Sequence, residues 1–131
     1  MTGGDLAQAA LALVGSPFRL HGRDPATGLD CIGVLAAALG GRAALPGGYR
    51  LRMRDLPDLS GAAATCGFEP ASDAIAPGDV LMVQVGPCQF HLMIAASAGR
   101  FIHAHAGLGR VVLWDAQIEW PVVHHWRLAA D

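Results

Sequence analysis

Apolar positions at Leu6, Ala9, Ala10, Leu13 and Val14 recur at i, i+3, i+4 and i+7 spacing, which predicts a helix over 5–14. Gly15-Ser16-Pro17 ends it, and a loop rich in Gly, Pro and Asp follows from His21 to Gly28. The run from Cys31 to Leu39 is apolar on every side, as a buried helix is, with Asp30 as its N-cap and Gly40-Gly41 as its stop. Residues 42–58 read as loop, and 59–66 as a short helix stopped by Gly67. Past Pro77-Gly78-Asp79 the pattern changes to β-branched and alternating segments, predicting strands over 80–85, 91–96, 100–105, 110–114 and 122–128. Helices first and short-turned strands second is an α+β pattern, with an antiparallel sheet covered by helices on one face.

Composition narrows the possibilities. The 131 residues suit one domain, expected to span 1–131, and 53% hydrophobic with 15% charged residues excludes a disordered chain. A net charge of −2 leaves no basic footprint for nucleic acid. All nine basic residues are Arg, so lysine Schiff-base chemistry is excluded, and the absence of Asn removes a common third member of Cys/His catalytic groups. No apolar run approaches the roughly 20 residues of a membrane span, so no membrane insertion is expected. The first residues lack a basic secretory n-region, so a protein made in the cytoplasm without a signal peptide is expected. Three cysteines, an odd number, are expected to be reduced. The three tryptophans, Trp114, Trp120 and Trp126, are expected to be core.

Cys31 is the residue most suggestive of chemistry. It stands at a helix N-terminus, where unpaired N–H groups and the helix dipole favour thiolate over thiol. Its backbone N–H can also serve a tetrahedral oxyanion. Cys66 and Cys88 have no such setting and read as structural. The histidines gather downstream on adjacent strands. His91, His103 and His105 share one face of a hairpin, and one ring can orient another. A turn centred on Ala98 sets His105 opposite His91 with His103 diagonal, whereas one centred on Ser97 sets His103 opposite. Spacing alone leaves both open. Cys88, His91, His103 and His105 also form a candidate zinc set, but no standard zinc spacing is reproduced and no metal or other cofactor is expected. His124 and His125 point to opposite faces, one core-facing and one solvated, and His21 reads as an exposed loop residue.

In order and spacing these segments resemble the NlpC/P60 cysteine peptidases. Gly15-Ser16-Pro17-Phe18-Arg19-Leu20-His21-Gly22 and Gly28-Leu29-Asp30-Cys31-Ile32-Gly33 are similar to the nucleophile region of that family, usually G-x-P-Y-x-x-G-G followed by D-C-S-G. Pro77-Gly78-Asp79-Val80-Leu81 looks like its "PGD" strand start. His91-Leu92-Met93-Ile94 resembles its "HVGI" strand, and Arg100-Phe101-Ile102-His103-Ala104 its "xFIHA" strand. The resemblance runs from about residue 5 to residue 128. It implies a papain-like α+β fold, with the nucleophile helix packed on an antiparallel sheet of five or six strands. It further implies Cys31 as nucleophile, His91 as general base and His103 as the residue orienting His91. The implied reaction is hydrolysis of γ-D-glutamyl–diamino acid bonds in peptidoglycan stem peptides through a thioester. By the same resemblance Asp30, Phe18 and Ile32 are candidate substrate-binding residues. Phe18 stands where the family has Tyr, and Ile32 where it has Ser. An apolar residue after the Cys is reminiscent of the small branch found in phage tails and gene-transfer particles. The resemblance thus implies tail hub proteins as partners and action on the cell wall from a particle. The alternatives are a structural tail-tip protein with little activity, and a thiol amidase or acyltransferase on a non-wall substrate.

Overall fold

The computed structural model describes residues 1–40, 60–87, 89–115 and 117–129. The first helix, α1 (Gly3–Leu11), begins two residues before the predicted start because Thr2 and Asp5 form a capping box there. The turns after it end at Gly15, at φ 95°. Two short strands, β1 (Arg23–Asp24) and β2 (Gly28–Leu29), form a small hairpin that the loop-like composition concealed. Next is α2 (Cys31–Leu39), capped by Asp30 and ended by Gly40 in the left-handed region, as its sequence predicts. The predicted loop at 42–58 lies outside the described residues, and α3 (Ser60–Thr65) matches the predicted short helix.

The strands are β3 (Phe68–Pro70), β4 (Val80–Gly86), β5 (Gln89–Ser97), β6 (Arg100–His105), β7 (Arg110–Asp115) and β8 (Val122–Leu128). They form one antiparallel sheet in the order β3-β8-β4-β5-β6-β7. Alternation divides its side chains between two faces. Val80, Met82, Leu92, Ile94, Ile102 and Ala104 face a core shared with Leu6 and Ala10 of α1 and Val34, Leu35 and Leu39 of α2. Leu81, Val83, Met93, Ala95 and Phe101 form a second cluster on the other face. Among the described residues no helix covers that face; Ile75, Trp114, Ile118 and Trp120 do. The reason is topological. The chain must pass from β7 at one edge to β8 beside β4, and Ile118 and Trp120 lie on that crossing.

One buried charge network ties the ends of this sheet. Asp79, fully buried, receives Arg127 Nε on Oδ1 at 2.9 Å and Arg127 Nη2 on Oδ2 at 2.9 Å. His125 Nε2 lies 2.6 Å from Oδ2, and the Ala76 N–H donates to the same oxygen at 2.9 Å. Burial alone raises the Asp79 carboxyl, but Arg127 and these hydrogen bonds outweigh it and hold the pKa below the ordinary carboxylate value. His124 and His125 do point to opposite faces: His125 joins this network and His124 stacks on Trp126 at 4.8 Å. Neither is solvated, contrary to the expectation for one of them; both are half-buried, because each ring finds a partner.

Candidate active site

Cys31 is the first residue of α2 and is buried against the sheet. Asp30 places it. Its Oδ1 accepts from the Gly33 N–H at 2.8 Å and from Arg23 Nη1 at 2.8 Å, and its Oδ2 accepts from the His21 N–H at 2.9 Å. One carboxylate therefore caps the helix and fastens the preceding loop to it. His21 takes φ 60° there, an unusual conformation for a residue with a Cβ, and its side chain is exposed as expected. The loop and helix can close this tightly only because position 33 is glycine. A methyl group there would collide with the carbonyl oxygen of Gly22.

The histidines meet at a fork in the sheet. Strands β5 and β6 are paired only from Ile94↔Ile102 to Ser97↔Arg100. Below that point, residues 89–93 pair with β4 alone and residues 103–105 with β7 alone. Across the gap His91 Nε2 lies 2.9 Å from His103 Nδ1, the rings edge to face at 5.0 Å between centroids. The register of Ile94 and Ile102 is that of a turn centred on Ala98, which continued would set His105 opposite His91. The strands part first, and the diagonal ring, His103, makes the contact. His105 stays exposed; its Nδ1 accepts from the Leu108 N–H at 3.0 Å. Trp114, which sequence reading did not connect with the site, stands edge to face with His103 at 5.9 Å.

Burial dominates the protonation of the site. It pushes the Cys31 thiol up to about 12, with the Asp30 charge adding to the rise, while the backbone of Leu92, Ile32 and Cys31 itself pulls the other way. The helix terminus was expected to favour thiolate; in this closed site desolvation outweighs it. Burial also pushes His91 down to about 4, helped by His105, and His103 down to about 4, helped by His91 and His105. The resting arrangement is a thiol and two neutral imidazoles. Among the described residues no hydrogen bond joins Cys31 to His91. His91 Nε2 is engaged by His103, which leaves Nδ1 as its available nitrogen.

The remaining candidates have definite places. Phe18 is half-buried against the helix-side core, and its N–H donates to the Gly109 carbonyl at 2.9 Å. Ile32 is 4% exposed and belongs to that core, so no ligand reaches it in this structure. Cys66 is a free, half-buried thiol beside the same core, and Cys88 lies outside the described residues. Among the described residues no three His, Cys, Asp or Glu side chains are grouped to hold a metal, and no helix is long and apolar enough to cross a membrane. Trp126 is core as expected, while Trp114 and Trp120 are only partly buried.

Several solved structures share this arrangement of elements. NlpC2 and NlpC1 from Trichomonas vaginalis match with TM-scores of 0.69 and 0.68 at 20% and 23% identity, over 99% and 95% of this chain. The chain spans about half the length of each, 48% and 44%. The NlpC/p60 domain of the peptidoglycan hydrolase SagA matches with a TM-score of 0.64 at 22% identity, over 99% of this chain and 100% of that domain. No family model and no curated protein sequence matches the chain. The fold is therefore that of NlpC/P60 domains, an α+β unit with a six-stranded antiparallel sheet.

Proposed function

We propose that this protein is a cysteine peptidase that hydrolyses a γ-D-glutamyl–diamino acid bond in bacterial peptidoglycan stem peptides. The observation that carries the proposal is the fork, where the histidine pair closes a gap in the sheet, while Cys31 at the start of α2 lies against the backbone of Leu92, the neighbour of His91 in β5. The family of the structural neighbours, one of them the domain of a peptidoglycan hydrolase, supports the choice of substrate.

In this reading the histidine pair supplies the base. His91 carries its proton on Nε2 and donates it to His103 Nδ1, so that Nδ1 is free to act as base. His103 must be neutral to accept that bond, and its pKa near 4 keeps it so. As substrate enters, the Cys31 proton passes to His91 Nδ1 and the sulfur bonds to the scissile carbonyl carbon. The oxyanion is met by the backbone N–H of Cys31. Collapse breaks the C–N bond, the amine leaves with the proton from His91, and a thioester remains. Water then gives a proton to His91 as its oxygen bonds to the thioester carbon; the C–S bond breaks, the acid product leaves, and His91 returns the proton to the Cys31 sulfur. His91 becomes an imidazolium only within these steps, stabilised by its bond to His103. The carboxylate of Asp30 is held by Arg23 and by the start of α2, and in this reading it fixes the position of the nucleophile.

A role in a phage-like tail, with tail hub proteins as partners, belongs to the same proposal and rests on the apolar residue after the nucleophile. A second reading, a structural tail-tip protein with little activity, is favoured by the burial of Cys31 and by the lack, among the described residues, of a hydrogen bond between its thiol and an imidazole. Mass spectrometry of defined muropeptides distinguishes the two readings. The unmutated protein should release L-Ala-D-Glu from tripeptide or tetrapeptide stems, and Cys31→Ala should release none. Intact stems after long incubation with the unmutated protein would favour the structural reading.

A further inference from the structure

Beyond the histidine pair lies a cavity of about 680 Å³ that the proposed mechanism does not use. Its apolar walls include Leu108, Leu113, Trp114 and Trp120, with the two indoles 5.1 Å apart. Its polar side chains are His103, His105 and Arg110, and among the described residues no carboxylate lines it. Arg110 is exposed and makes no ion pair among the described residues, and His105 faces it across the β6–β7 pairing. The Nδ1 of His105 accepts from the Leu108 N–H, so its hydrogen is on Nε2, which is a donor.

The cavity also runs along an open sheet edge. The outer side of β7 is partly covered already: the Val111 N–H donates to Ser16 and its carbonyl accepts from Gly15. Leu113, two residues on, presents its N–H and C=O on the same side, with no backbone partner among the described residues. An unpaired strand edge accepts an extended peptide, with side-chain pockets supplying the specificity.

We infer that this cavity binds the carboxylate-bearing end of an extended peptide, which pairs with β7 at Leu113 and is held by Arg110 and His105. The inference rests on the peptidase reading for the identity of the peptide: it is the substrate's end remote from Cys31, lying past His103. The Arg110 guanidinium, with the His105 Nε2–H beside it and no carboxylate among the described lining residues to match it, fits such an end and not a neutral one.

The test is a titration of Cys31→Ala protein, followed by tryptophan fluorescence, with the tetrapeptide L-Ala-γ-D-Glu-diaminopimelyl-D-Ala, whose terminal carboxylate lies one residue beyond the scissile bond's diamino acid, and with its C-terminal amide. The acid should bind with a fluorescence change and the amide about tenfold more weakly, the effect of one charge-assisted hydrogen bond. Adding Arg110→Gln should weaken the acid by a similar factor, and His105→Gln by less, without lowering the melting temperature. Equal affinities for acid and amide, an unaltered affinity in Arg110→Gln, or no binding at millimolar peptide would each overturn the inference. Carboxylate-dependent binding without cleavage by the unmutated protein would support the cavity and overturn the peptidase reading.

Discussion

At Cys31 the start of α2 offers N–H groups to a thiolate while the surrounding core withholds water from it, and burial prevails. Alkylation by iodoacetamide at pH 7, read by mass spectrometry, should therefore modify Cys66 ahead of Cys31 in the free protein. The Cys31 rate should still be rising at pH 10; a plateau near pH 7 would mean a preformed thiolate. The histidine pair makes a prediction of the opposite sign. Unfolded, both imidazoles protonate near pH 6.5; folded, they hold off to about 4. The folded protein thus binds fewer protons between these values, and stability falls as pH drops from about 6.5 to about 4. Unfolding free energies from urea titrations at pH 7 and pH 4.5 should differ by about 2 kcal/mol for each imidazole, and the His91→Gln, His103→Gln double variant should lose most of that difference. An unchanged difference in the double variant would place the pH dependence elsewhere.

The elements were legible to different degrees, for physical reasons. The helix at Cys31–Leu39 and strands β4 to β8 announced themselves through unbroken apolar runs, alternation and turn residues. The hairpin of β1 and β2 did not, since two-residue strands have no period to detect, and β3 was hidden by Pro70 and its three-residue length. Cys31 and the histidines 91, 103 and 105 could be singled out in the sequence, but spacing could not say which ring meets His91, because that depends on where β5 and β6 cease to pair. The partnership of Asp79 with His125 and Arg127 spans 46 and 48 residues and left no local signal. Its consequence is felt between elements. Asp79→Ala should cost about 3 kcal/mol, seen as a fall in melting temperature of ten degrees or more, because Arg127 and His125 lose the anion that satisfies them. Gly33→Ala tests the other tight junction. The clash with Gly22 should cost at least 2 kcal/mol and displace the helix start, so that activity falls by more than the loss of folded protein explains.

Taken as a whole, the molecule separates support from chemistry. The helix-side core and the Asp79 network hold the sheet from opposite sides, while the fork between β5 and β6 gives up interstrand hydrogen bonds to make room for the site. The position of β8 has a further consequence, in the order of assembly. This strand is the last of the six to leave the ribosome, yet it lies between β3 and β4. Until residues 122–128 emerge, β4 is an uncovered edge and β3 has no neighbour in the sheet. Folding must therefore wait for nearly all of this chain to be synthesised, and the nascent chain carries Val80–Gly86 exposed in the interval, the stretch on which a chaperone would be expected to act.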